Sequence, residues 1–140
     1  KGYGFYDLEN SKPATTDTIY MIASISKTIT STALMQLYEQ GFFELDDDVN
    51  DYLPFSLRNP NFPDDSITFR MLLSHQSSLA EDPLEFYQYS YTFGEDSPVA
   101  LYPFLETYLV PGGSNYTSYV WSTDPPGESF HYANIGFDIL

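Results

Sequence analysis

Apolar positions along this chain fall into one long helical rhythm and several shorter ones. From Ile19 to Gly41, the residues Ile22, Ile25, Ile29, Ala33, Leu34, Leu37 and Tyr38 recur near a 3.6-residue period, which predicts an amphipathic helix. Gly41 stands where a glycine closes a helix C-terminus. Val49, Tyr52 and Leu53 predict a short amphipathic piece, stopped by Pro54. A second helix is expected through Phe69, Met71, Leu72 and Leu73, with Ser66 or Thr68 as its cap. Ahead of the long helix, Lys1 to Leu8 is aromatic and glycine-bearing and reads as a strand. Its partner is expected to precede it, with turn chemistry following at Asn10-Ser11-Lys12-Pro13. Arg58 to Asp65 reads as loop, and Glu81 to Asp124 as loops around short elements. Pro125-Pro126-Gly127 marks a turn, and Asn134 to Leu140 is a helix-compatible apolar run with no capping residue. Both ends read as cut, so the chain is expected to be a piece of a longer one.

Composition narrows the functional classes. At 140 residues, with 42% hydrophobic and 18% aromatic content, the chain has enough apolar surface for a core. Its formal charge of -15 repels phosphate backbones and anionic lipid, which argues against nucleic-acid or membrane-surface partners. No apolar run reaches the ~20 residues of a membrane span. The absence of cysteine removes disulfides, thiolate metal sites and cysteine catalysis.

Two triplets carry candidate chemistry. Ser24-Ile25-Ser26-Lys27 sets a hydroxyl and an amine three residues apart, on one face of a helix. A lysine among apolar neighbours gives up its proton more easily, and a neutral amine beside a serine can activate it as a nucleophile. The plain alternative is a helix-capping serine and a solvated cation. In Tyr132-Ala133-Asn134, a phenol can relay protons and a carboxamide can bind a substrate amide. Its plain alternative is a packed aromatic beside a capping asparagine.

The surrounding blocks carry a resemblance. Met21 to Gly41, Leu45 to Pro54, Ile67 to Leu79 and Pro126 to Phe137 are similar, in order and spacing, to segments of the serine β-lactamase-related family, in its class C β-lactamase, penicillin-binding-protein and serine esterase branch. The similarity is weak from 80 to 124. It implies an α+β, β-lactamase/transpeptidase-like fold, with an antiparallel sheet flanked by helices and a helical insertion, incomplete in this chain. Residues 1–18 would be a sheet-edge strand and turn, 19–41 the nucleophile helix, 42–124 a helical and loop region, and 125–140 the Tyr-x-Asn segment. The C-terminal part of the sheet would be missing.

The resemblance also implies roles. Ser24 would be the acylated nucleophile and Lys27 its base or proton shuttle. Tyr132 would pass a proton to the leaving group and help activate the deacylating water. Asn134 would hold the substrate amide or the Lys27 amine. No cofactor or metal is implied. The substrate would be a small molecule or peptide with an amide or ester bond: a β-lactam, a D-amino-acid peptide or a carboxylester. Oligomeric state is left open, and a secreted, periplasmic or cell-surface location goes with the family. The family's third triplet, Lys-Thr-Gly or His-x-Gly, has no counterpart in these residues, and Ser78 stands where a turn glycine is usual. The piece alone is therefore expected to be inactive. A non-catalytic or acylation-only sensor is the other reading, with the aromatic run Phe86 to Phe93 as pocket lining, packing or interface.

Other sites are weaker. A Ser-His-Asp triad would have to use His75 or His131, and no Gly-x-Ser-x-Gly elbow is present. Asp46, Asp48 and Asn50 match alternate positions of a calcium loop, but Asp51 replaces its glycine and Leu57 its glutamate. Asn115-Tyr116-Thr117 is a glycosylation sequon, meaningful only in a eukaryotic secretory setting.

Overall fold

The computed structural model describes residues 1–80, 92 and 95–140, so Phe86 to Phe93 falls, apart from Thr92, outside the described residues. The first element is a hairpin. Strand β1 (Phe5–Asp7) pairs antiparallel with β2 (Lys12–Pro13), so the partner of the first strand follows it instead of preceding it. The Asp7 carboxylate accepts the Asn10 N–H at 3.1 Å, and Ser11 takes a φ of 52° to close the turn.

The long helix starts later than its apolar period suggests. Residues 19–22 are not helical; a 3-10 turn covers Ala23–Ile25 and helix α1 runs Ser26–Glu39. Its end is the predicted one. Gly41 has a φ of 74°, its N–H donates to the Tyr38 carbonyl, and the Phe42 N–H reaches back to Leu37. Only Leu34 of α1 is buried, so the apolar period here does not mark a face packed within the described residues.

Helix α2 (Phe69–Leu73) is capped by Thr68, whose hydroxyl accepts the Met71 N–H at 3.3 Å. It is tied to the acidic turn before it: the Val49 N–H bonds the Ile67 carbonyl and the Arg70 N–H the Leu45 carbonyl, both at 2.9 Å. Helix α3 (Leu101–Leu109) lies inside the region read as irregular. Pro103 sits in its first turn, where a missing N–H costs nothing. Phe104, Leu105, Tyr108 and Leu109 are all buried at helical spacing. Helix α4 (Ile135–Ile139) follows Asn134 and packs on α2 and α3.

These elements share one core. Leu57, Ile67, Leu72, Tyr108, Val120 and Ile135 are at most 1% exposed. The result is an α+β fold with a small antiparallel sheet and helices around this centre. Among the described residues, no helix is long and apolar enough to cross a membrane.

The turn at residues 75–80 organises the far half of the chain. The Ala80 N–H donates to Val120, the Ser122 N–H to Ser78, the Gly127 N–H to Gln76 and the His131 N–H to His75, at 2.7–2.8 Å. His75 and Ser78 both adopt positive φ, 57° and 64°. That explains the glycine usual at the second position, and Ser78 occupies it with compensation. Its hydroxyl donates to the Asp124 carbonyl at 2.5 Å and accepts from the buried Asn59 amide at 2.6 Å. Asn59 also donates to the Ser122 carbonyl at 2.8 Å, so this polar cluster is satisfied inside the core.

Candidate active site

The two triplets meet. The Ser24 hydroxyl and the Tyr132 phenol lie 2.8 Å apart, across 108 residues of sequence. The Lys27 amine donates to the Asn134 carboxamide oxygen at 2.5 Å. Ser24 sits in the 3-10 turn and Lys27 in the first turn of α1, so the i, i+3 spacing puts both on the side facing residues 132–134. Ala23, directly before Ser24, has a φ of 45°. Left-handed backbone at a residue with a Cβ costs about 1–3 kcal/mol and gathers at functional sites.

The amine is framed by aromatic faces. Lys27 Nζ lies 5.1 Å from the Tyr132 ring centroid and 5.6 Å from that of Phe137. Charge pairing separates Lys27 from Lys12, Arg58 and Arg70. Lys12 pairs with Asp7, Arg58 with Asp48 and Arg70 with Asp46, whereas Lys27 is bonded to a neutral amide. In a chain carrying 20 acids, that leaves the amine outside an ion pair among the described residues.

The sequence reading missed two contributors. Phe137 follows Asn134 by three residues, one helical turn, and so reaches the same side of the chain. His75 stacks on Tyr132 with ring centroids 4.4 Å apart. Its histidine type and turn position were visible, but not its contact with a tyrosine more than 50 residues away.

The weaker candidates take structural places. His131 Nε2 contacts Ser122 Oγ at 2.9 Å and the Asp124 carboxylate at 3.0 Å. A catalytic relay needs the base to use one nitrogen for each partner, and here both partners share one. The His131 contact, with an additional bond from Ser129, holds the Asp124 carboxyl below its usual 3.8. At the acidic turn, Asp48 spends its carboxylate on Arg58 and on the Asn50 N–H, and Asp46 on Arg70. Asn50 accepts the Leu57 N–H at 2.7 Å, so the calcium-loop positions serve as turn braces. Among the described residues, no group of three or more His, Cys, Asp or Glu is placed to hold a metal ion. The Asn115 amide bonds Thr107 at 3.2 Å.

A cavity of about 440 Å³ is lined by Leu34, Leu37, Phe43, Val49, Phe69 and Leu140 among others, and by none of the four site residues. It is a gap in the apolar packing on the other end of α1.

Comparisons with known proteins establish the family. The family model described as Beta-lactamase matches residues 1–140. The chain is 30% identical to Protein flp of Staphylococcus aureus (strain MRSA252), aligned over 100% of this chain and 25% of that protein. It is 40% identical over 80 residues to the human serine beta-lactamase-like protein LACTB, mitochondrial, covering 56% of this chain and 15% of that one. Among solved structures, the octameric penicillin-binding protein homologue from Pyrococcus abyssi superposes with a TM-score of 0.69 at 30% identity, over 99% of this chain and 30% of its own. The chain thus spans about a quarter of the length of the staphylococcal relative. With the Ser-x-x-Lys and Tyr-x-Asn triplets in contact and the family model matched from end to end, the chain belongs to the serine beta-lactamase-related family.

Proposed function

We propose that the polypeptide carrying this chain is a serine hydrolase that works through an acyl-enzyme on amide or ester bonds, with Ser24 as nucleophile. The observation that carries this reading is the 2.8 Å contact between Ser24 and Tyr132. Ser24 Oγ attacks the substrate carbonyl carbon, and its proton leaves through the Tyr132 phenol and the Lys27 amine. The same groups return the proton to the leaving amine or alcohol as the carbonyl–leaving-group bond breaks. Water then attacks the ester, giving its proton back to Ser24 as the acid departs. Asn134 holds the Lys27 amine in place for both halves.

The chain spans about a quarter of the staphylococcal relative, and the family's third triplet and second oxyanion donor would come from outside the residues matched here, so the activity is proposed for the longer polypeptide. The substrate class is open among β-lactams, D-amino-acid peptides and carboxylesters. A secreted or periplasmic location is the family expectation, set against a human relative named as mitochondrial.

The test is steady-state hydrolysis of a chromogenic β-lactam and of a p-nitrophenyl ester by the full-length protein. Turnover of one of them, reduced by ~10³-fold or more in Ser24→Ala, supports the reading. Adduct formation without turnover points to the acylation-only sensor. Undiminished turnover in Ser24→Ala contradicts it.

A further inference from the structure

His75 touches the Tyr132 segment by three routes. Its backbone carbonyl accepts the His131 N–H at 2.8 Å. Its ring Nδ1 accepts the Ala133 N–H at 3.3 Å. Its ring face lies against Tyr132, with centroids 4.4 Å apart and planes 34° from parallel. The two residues flanking Tyr132 are thus both bonded to His75, and the tyrosine between them is stacked on it. The same imidazole contacts Phe130 and Phe137, at 5.7 and 5.2 Å between centroids. Phe137 and Tyr132 are the two rings that frame the Lys27 amine.

Backbone conformation fits this task. His75 has a φ of 57°, which turns the chain after α2 and aims the carbonyl and ring together at residues 131–133. Left-handed backbone is uncommon for residues other than Gly, although Asn, Asp and His adopt it more readily than most, and its cost is borne where the surroundings fix it. Because Nδ1 accepts, the ring proton sits on Nε2, so the contact selects one tautomer of the neutral ring.

We infer that His75 is a positioning residue for the reaction: it sets the Tyr132 phenol against Ser24. The inference rests on the Ser24 reading given above. Its reach is set by geometry. A displacement of about 1 Å in a proton-transferring group costs about 10²-fold in rate, which is the size expected when the phenol loses its support.

A double-mutant cycle on the full-length protein tests it, with the rate of Ser24 acylation by a fluorophosphonate probe as readout. Gly at position 75 keeps the backbone turn and removes the ring; Asn keeps the turn and an acceptor for the Ala133 N–H. Acylation in His75→Gly is expected to fall about 10²-fold, with His75→Asn recovering part of the loss. Against a Tyr132→Phe background, His75→Gly should cost less than about threefold more, because it acts through the group already removed. Equal losses in both backgrounds would make His75 a general structural residue and overturn the inference. Wild-type acylation at the full rate in His75→Gly would also overturn it. A wild-type protein that takes no label at all refutes the Ser24 reading, and this inference with it.

Discussion

The two halves of the candidate site are held in different ways. Tyr132 and Asn134 belong to a segment clamped by the core: Ala133 and Ile135 beside them are buried, and backbone bonds from residues 75–80 run along the chain leading to them. Ser24 and Lys27 belong to a segment whose apolar residues face outward among the described residues. Ile19 and Met21 are 95% and 96% exposed, and Ile25 and Ile29 are more than half exposed. Polar contacts to Tyr132 and Asn134 connect the second half to the first. The Tyr132–Asn134 side is thus placed by packing, and the Ser24–Lys27 side is placed against it by hydrogen bonds.

This contrast predicts unequal costs for equal truncations. Leu57→Ala or Ile67→Ala, each at a fully buried position, should destabilise the chain by about 2–5 kcal/mol. Ile25→Ala and Ile29→Ala should change its stability by less than about 0.5 kcal/mol. Urea unfolding of the four variants measures both. Similar costs at the two sets of positions would erase the contrast.

The acidic turn offers a pH-dependent check on the packed half. Burial pushes the Asp48 carboxyl up, but the bonds from Arg58 and the Asn50 N–H outweigh it and hold it below the usual 3.8. A carboxyl depressed on folding contributes stability that is complete above its unfolded value and is lost as pH falls through the folded one. Asp48→Asn should therefore cost about 1–3 kcal/mol at pH 7 and progressively less below pH 3.8, as the wild type protonates. Thermal unfolding from pH 7 to pH 2.5 follows the difference, and a gap that stays constant would deny Asp48 this role. Tyr52 in the same turn donates to Asp47 at 2.6 Å, which pushes its phenol up to about 12.

How far these features could be read in advance depends on whether their cause is local. The Gly41 closure of α1 and the Gly127 turn follow from neighbours in sequence and are legible there, and the α2 cap is narrowed to Ser66 or Thr68, of which the structure uses Thr68. The Ser24–Lys27 and Tyr132–Asn134 triplets stand out as candidates because they sit inside longer family-like blocks, and the structure brings them into contact. Helix α3 was obscured by Pro103 and by the glycines and tyrosines after it, although Phe104, Leu105, Tyr108 and Leu109 carry a helical spacing. The apolar period begins at Ile19, ahead of the 3-10 turn at Ala23 and of α1 at Ser26, because Ile19 and Ile22 extend it although the backbone there is not helical. His75 was out of reach for a different reason. Its role depends on contacts with residues 130–137, and nothing near position 75 encodes them.

A near-balance of opposing effects is expected at Ser78. Glycine there would relieve a φ of 64°, worth about 1 kcal/mol, but would remove the hydroxyl bonded to Asn59 and Asp124, worth a similar amount. Ser78→Gly should leave stability within about 1 kcal/mol of wild type and acylation unchanged. A large loss in stability would show that the buried hydroxyl outweighs the strain.

The central claim is that Ser24 is the hydroxyl these surroundings make reactive. Peptide mapping by mass spectrometry of the full-length protein, after treatment with a fluorophosphonate, addresses it directly. The account predicts a single stoichiometric adduct on Ser24, lost in Ser24→Ala and strongly slowed in Lys27→Met. An adduct on Ser122 beside His131, or a folded protein that takes no label, would contradict it.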